Sequence, residues 1–252
     1  MITLGKNIIV KNEIESTNNY AKQLVSDKPE EGTVVLAQFQ RRGRGQQGKY
    51  WESEAGKNLL ASLILYPGSL DAGNQFYLSK IVSLALVDLL EEEVMGVAIK
   101  WPNDIYVGDH KIAGILIENA LKGAIIDFSI IGIGINLNQE KFYSDAPNPV
   151  SLKQITGKNY NVRLQLEAFL SCLENWYELL LKGETKKIDT AYLQRLYGYQ
   201  EWRIYRFDDQ ENEGKIIGVG DFGQLQLELS GGKIREFMFK EIEFTTRGNS
   251  GS

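Results

Sequence analysis

Residues 100–118, KWPNDIYVGDHKIAGILIE, restrict the fold of this chain more than any other stretch. Two β-branched runs flank Gly108-Asp109, a pair suited to a two-residue turn with glycine first, so the segment is expected to form a β-hairpin. With that turn, Val107 faces His110, Tyr106 faces Lys111 and Ile105 faces Ile112. Alternation then sets Asp104, Tyr106, Lys111 and Ala113 on one face, with Ile105, Val107 and Ile112 on the other. The apolar face belongs to a core. The other carries a lysine and a carboxylate one pair apart, beside Ala113 and Gly114, which leave room for a bulky group. A solvated pair near a hairpin tip would have the same composition, so the surrounding segments matter.

Upstream, a first strand ends in Ile8-Ile9-Val10, and Ser16-Thr17-Asn18-Asn19 stands at the start of a helix running to about Ser26. These polar residues either cap the helix or present hydroxyls and the free amides of its first turn to a ligand. A strand over 33–40, TVVLAQFQ, leads into Arg41-Arg42-Gly43-Arg44-Gly45-Gln46-Gln47-Gly48-Lys49. Glycines alternating with cations let a backbone approach negative charge closely, which suits a phosphate; flexible solvated loops share this composition. The loop is neither a P-loop, lacking a GKS or GKT ending, nor a dinucleotide fingerprint, since Trp51 and a new strand follow it. Trp51 is suited to stacking on a nucleobase, covering an apolar ligand or packing a core edge.

The remaining pattern alternates strands with helices. Strands are expected at 58–65, 97–101 and 124–138, and helices at 74–93, 152–155, 164–182 and 185–197. The helix at 74–93 is apolar on most sides and should be buried against a sheet. In AIIDFSIIGIGINLN, Gly132 and Gly134 interrupt a buried strand, a usual sign that a ligand or another backbone comes close. From about Tyr199 the texture changes to short alternating strands with Asp- and Gly-rich turns, expected at 202–207, 213–219, 225–229, 234–239 and 242–245. That spacing signals a small β-barrel. The domains expected are therefore 1–198, 199–246 as a C-terminal barrel, and a disordered tail at 247–252.

Composition excludes several classes of function. At 252 residues the chain is long enough for one large core or a core with a small appendage. Cys172 is the only cysteine, so neither an intrachain disulfide nor a multi-cysteine zinc site can form. His110, the only histidine, sits at the hairpin turn, a poor place for a hydrolase base, and histidine-rich metal sites are impossible. A net charge of −5 argues against wholesale nucleic-acid binding. No apolar run is long enough for a membrane span, and MITLGKNIIVKNE has no secretory signal pattern, so a cytoplasmic location is expected.

Three separated segments, GRGQQGKYWES, KWPNDIYVGDHKIAGILIE and IIGIGINLN, with ESTNNYA upstream, resemble the biotin protein ligases in the family's own order. The resemblance runs from about Glu13 to the C-terminal strands. It implies an α+β fold, a mixed β-sheet with helices packed on it (a biotin/lipoate ligase-like catalytic domain), followed by a C-terminal SH3-like barrel. It also implies an enzyme that activates biotin with Mg-ATP to biotinyl-5′-AMP, then passes biotin to one lysine of a biotin carboxyl carrier domain. By motif position, Ser16, Thr17 and Gln40 would bind the ureido ring, Gly43 and Arg44 would hold biotin near its ring and carboxylate, and Gly114, Leu116 and Gly132 would floor the pocket. Gly45, Gln46, Gln47, Gly48, Lys49, Trp51, Asn103 and Asn136 would serve ATP or the adenylate. Lys111 falls on the essential lysine, in contact with both substrates, and Arg44 and Asp104 complete the catalytic set. Asp104 would act as a proton acceptor or as an electrostatic or metal-orienting group, with Mg²⁺ brought by ATP and no certain protein metal ligand.

Two departures from relatives stand out. Some carry GRGRRG, so Gln46 and Gln47 replace two cations, and Lys49, Arg41 or Arg42 would have to compensate. Only about a dozen residues precede ESTNN, too few for the helix-turn-helix of bifunctional relatives, so DNA binding is not expected. A homodimer is compatible with the resemblance, and no membrane partner is expected. The alternatives are a lipoyl-protein ligase, which shares the fold and adenylation chemistry, and a non-catalytic biotin-binding module.

Overall fold

The computed structural model describes residues 3–68, 70–144 and 148–245. The expected disordered tail lies outside the described residues. In chain order the elements are β1 (Ile8–Ile14), α1 (Thr17–Leu24), β2 (Val34–Gln40), β3 (Leu59–Leu65), α2 (Phe76–Glu91), β4 (Val97–Lys100), β5 (Asp104–Val107), β6 (His110–Lys122), β7 (Ile125–Ile135), α3 (Leu152–Thr156), α4 (Val162–Leu181), α5 (Thr185–Gln194), β8 (Trp202–Phe207), β9 (Gln210–Val219), β10 (Leu225–Leu229), β11 (Ile234–Phe237) and β12 (Glu243–Phe244). The expected strands and helices are all present.

Seven strands form one mixed sheet in the order β1-β2-β3-β7-β6-β5-β4, with β1 and β2 parallel and the other pairs antiparallel. Strand β3, beside the central β7, carries the run LLASLIL, buried at every residue as a strand covered on both faces must be. One face packs on α2 and α4, and α5 packs against those two helices. Helix α4 turns Leu166, Phe169, Leu170, Leu173, Tyr177 and Leu180 into this core, a period of three to four residues. Helix α2 is buried nearly all round and includes Lys80, only 6% exposed, whose Nζ lies 2.6 Å from Asp189 of α5 and 4.4 Å from the Tyr77 ring centroid. A buried cation is tolerable here because it is paired and lies over aromatic rings.

The other face of the sheet is covered at one end only. Ala21 of α1 packs there with Val35, Ile64 and Ile130. Beyond this small cluster the same face carries Gly132, Gly134, Gly114 and Lys111, and this is where the site lies.

Five further strands form an antiparallel sheet in the order β11-β10-β9-β8-β12. Its buried residues Tyr205, Phe207, Ile216, Leu225, Leu227 and Phe237 belong to the same contiguous core as the helical face of the large sheet. Trp101, just after β4, donates from Nε1 to the Gly223 carbonyl at 2.8 Å, tying the two sheets together.

Candidate active site

The hairpin forms with the expected turn, but its register slips. Val107 pairs with His110 and Tyr106 with Lys111; Ile105 then lies opposite Ala113, not Ile112, and Asp104 opposite Gly114. The extra residue is a β-bulge, which turn composition does not reveal. Ala113 consequently joins Ile105, Ile112 and Ile115 in the core, correcting its expected place beside Lys111. From Gly114 onward, alternation brings Gly114, Leu116 and Glu118 to the face of Lys111. Lys111 Nζ lies 2.6 Å from Asp104 Oδ1, the side chains being 19% and 21% exposed.

Glycine makes the floor beneath the pair. Gly114 faces Gly134, and Leu116 faces Gly132, across β6 and β7. The Trp51 ring lies on the first pair: a Cβ at Gly114 would stand 2.8 Å from Trp51 Cζ3, and one at Gly134 would overlap the indole. Lys111 Nζ is 5.6 Å from that ring centroid. The Trp51 Nε1 donor is buried with no partner among the described residues. A Cβ at Gly132 would overlap the amide of Asn18.

Helix α1 meets this floor at its first turn. Ser16 is buried at the N-cap position, yet its side chain makes no cap hydrogen bond, so the capping alternative fails at this residue. The Thr17 backbone N and Oγ1 donate instead to Gln40 Oε1, at 2.7 and 3.0 Å. Asn18 Nδ2 donates to Glu118 Oε2 at 2.8 Å and to the Leu116 carbonyl at 3.2 Å, while its Oδ1 accepts from Ser62 Oγ at 2.6 Å. Glu118 in turn receives Arg44: Nη2 lies 2.9 Å from Oε1 and Nη1 3.2 Å from Oε2. Arg44 Nη1 also donates to Asn19 Oδ1 at 2.6 Å. Burial alone would raise the Glu118 carboxyl, but hydrogen bonds from Asn18 and Arg44 and the charges of Arg44 and Lys22 together hold it below its ordinary value.

The glycine-rich loop closes as a small hairpin over this region. Trp51 N donates to the Gly43 carbonyl at 2.9 Å, Arg44 bridges Tyr50, and Gly45 N donates to the Lys49 carbonyl at 2.7 Å around a short helical turn at Gln46–Gly48. Gly43 is required because a Cβ there would strike the Trp51 carbonyl. Gln46 lines a cavity of about 180 Å³ with Asn103, Phe76, Ile117 and Phe222. The side chain of Gln47 lies outside the description. Of the cations expected to compensate for the two glutamines, Arg41 Nε sits 3.0 Å from Glu13, and Arg42 Nε 3.4 Å from Glu15, leaving Lys49 at the loop tip. A larger cavity, about 380 Å³, lies behind the hairpin tip between Asp109, Arg195 and Arg203, away from Lys111.

Asn103 and Asn136 serve the backbone in this state. Asn103 Nδ2 donates to the Ile115 carbonyl at 2.8 Å, pinning the turn before Asp104 to β6. Asn136 Nδ2 donates to the Val150 carbonyl at 3.1 Å, and Val150 N donates to the Lys111 carbonyl at 2.9 Å. Asn136 thus steadies the strand that brackets Lys111. The structure brings together Ser16, Thr17, Gln40, Arg44, Trp51, Asp104, Lys111, Gly114, Leu116 and Gly132 around one sheet face. It adds Asn18, Ser62, Glu118 and Gly134, which sequence reasoning did not assign. Alternation onward from Gly114 would have found Glu118; the contact of Asn18 with Gly132 spans more than a hundred residues and leaves no local signal.

Residues 10–136 match the biotin/lipoate A/B protein ligase family. The chain is 30% identical to the bifunctional ligase/repressor BirA of Bacillus subtilis over 95% of its own length and 74% of that protein. It is 33% identical to the biotin–[acetyl-CoA-carboxylase] ligase of Paracoccus denitrificans over 79% of its length and 85% of that protein. The structure of a biotin protein ligase from Aquifex aeolicus in complex with biotin and ATP superposes with a TM-score of 0.79 at 26% identity, covering 95% of this chain and all of that one. By that family match and these relatives, this protein belongs to the biotin/lipoate A/B protein ligase family and is an enzyme of its biotin protein ligase branch.

Proposed function

We propose that this enzyme activates biotin with Mg-ATP, releasing pyrophosphate and holding biotinyl-5′-AMP, and then transfers biotin to a lysine of a carboxylase carrier domain. The observation that carries the reading is the Lys111–Asp104 pair on the open face of the sheet, above a glycine floor and beneath the Arg44 loop. Adenylation brings a carboxylate to an anionic α-phosphate, and a fixed cation between them lowers their repulsion and stabilises the charge that develops. Lys111 is that cation, oriented by Asp104. Gln40 and Thr17 are locked together at the closed end of the pocket, where polar groups would meet the biotin ring. Arg44 reaches the ligand by exchanging Glu118 for a substrate anion, and Trp51 gives up its seat on Gly114 and Gly134 to lie against the adenylate. Mg²⁺ arrives with ATP; a single carboxylate, Asp104, beside the phosphates suits an ion that keeps most of its water. The C-terminal strands are proposed to close as an SH3-like barrel over residues 199–246, following a catalytic domain over 1–198.

The test is pyrophosphate release from Mg-ATP with biotin, lipoate or no acid, each with and without an apo carrier domain. Biotin-specific release, sustained only with carrier and matched by a mass gain on it, is the expected result. Release with lipoate alone would move the activity to the lipoyl-ligase branch, and biotin binding without release would reduce the protein to a binding module.

A further inference from the structure

Lys111 is not the only cation at this site. Lys100 ends β4 directly opposite Asp104 of β5, on the same face of the sheet. Its half-buried Nζ donates to Tyr106 Oη at 3.0 Å and stands 4.4 Å from the Tyr106 ring centroid and 5.4 Å from that of Phe244, from the C-terminal sheet. Tyr106 is itself the cross-strand partner of Lys111. No carboxylate lies within ion-pair distance of Lys100 among the described residues: Asp104 is taken by Lys111, and Asp109 accepts from the Tyr197 hydroxyl. Burial lowers the readiness of this amine to carry charge, Asp104 and Asp109 partly restore it, and Lys111 and Lys49 oppose it again. Lys100 of β4 and Lys111 of β6 therefore flank Asp104, Lys49 of the glycine-rich loop adds to the positive field they share, and of these three lysines only Lys111 has an anionic partner among the described residues. A cation held partly out of water without a counter-charge is costly unless an anion completes it.

We infer that Lys100, with Lys49 from the loop, forms the subsite for the leaving pyrophosphate, while Lys111 serves the carboxylate and α-phosphate. This rests on the ligase reading proposed above. In the step concerned a biotin carboxylate oxygen forms a bond to the α-phosphorus. The bond from that phosphorus to the β-bridging oxygen breaks, and its electron pair leaves on pyrophosphate. Lys100 meets the charge that accumulates there. Tyr106 and Phe244 fix the amine in place, so the ammonium needs no reorganisation as the negative charge builds.

Biotin-dependent exchange of labelled pyrophosphate into ATP, run in both the wild type and Lys100→Gln, tests the assignment. Loss of one charge-assisted contact should raise KM for pyrophosphate and for ATP by about tenfold or more. KM for biotin should stay near the wild-type value, and transfer from preformed biotinyl-5′-AMP to carrier should be little affected. Lys100→Arg should restore much of the pyrophosphate KM, and Lys49→Gln, on the exposed loop, should raise it in the same sense even if Lys100→Gln fails to fold. If Lys100 only staples β4 to the C-terminal sheet, the glutamine variant will lose melting temperature and slow both half-reactions alike, which overturns the assignment. Equal loss of biotin and pyrophosphate affinity would overturn it too. A wild type without biotin-dependent exchange would refute the ligase reading itself, and this inference with it.

Discussion

At the scale of single residues, two ion pairs hold the site, Lys111 with Asp104 and Arg44 with Glu118. Lys111 and Asp104 sit 2.6 Å apart at partial exposure, so removing the lysine leaves a carboxylate that water still reaches and costs the fold little. Lys111→Ala is therefore expected to keep its melting temperature while biotin-dependent pyrophosphate release falls by about 100-fold or more. Near wild-type turnover in the folded variant would remove Lys111 from its central role. Glu118 is the second point of leverage, because Asn18 and Arg44 both donate to it. Its carboxyl is held below the ordinary value in the folded state, so the stabilisation is fully present above the unfolded-state value of about 4.3 and fades as pH falls through the folded-state value. Glu118→Gln should lower stability at neutral pH by about 1 kcal/mol or less, the scale of a partly exposed pair. Urea titrations of both proteins should converge as the solution is acidified below the carboxylate range; a gap that persists or widens in acid would show that the carboxylate contributes nothing through its charge.

At the scale of elements, the notable device is a pair of glycines facing each other on adjacent strands where they cross the site. Gly114 and Gly134 face each other across β6 and β7, and the Trp51 ring occupies the space they leave. Gly134→Ala would set a methyl group into that ring. Overpacking of this kind costs about 1–3 kcal/mol when the neighbour cannot move, but Trp51 sits on a loop and can swing away. The expected outcome is a small loss of stability, greater protease sensitivity within residues 43–51, and weaker binding of any ligand that needs the floor. Unchanged loop proteolysis would mean that Trp51 is not seated by these strands. The bulge at Ile112 belongs to this scale as well. By adding one residue to β6 it turns Ala113 into the core and leaves Gly114 on the side of Lys111.

For the whole molecule, the deciding fact is that the buried residues of both sheets form one contiguous core. Two sheets that share a core unfold together. Urea unfolding followed by tryptophan fluorescence and by far-ultraviolet circular dichroism should therefore give one coincident transition, and a separate early step for residues 199–245 would show the C-terminal sheet to be independent. Within the described residues no helix is long and apolar enough to cross a membrane.

Much of this was legible along the chain, because the determinants are local. Periodicity marks α4, the unbroken apolar run marks β3, and Gly108-Asp109 marks the hairpin, since each expresses backbone sterics or burial within a few residues. The residue types at the site follow from the same stretch: Asp104 and Lys111 are close because a two-residue turn makes them so. What the sequence could not decide on its own is set by contacts between distant segments. The slipped register at Ile105, the seating of Trp51 on Gly134, the Asn18–Glu118–Arg44 chain of hydrogen bonds and the approach of Phe244 to Lys100 each join residues that local preferences leave independent. Only closure of the sheet against its helices brings these groups within the few ångströms over which packing and hydrogen bonding act, and so only the tertiary structure settles them.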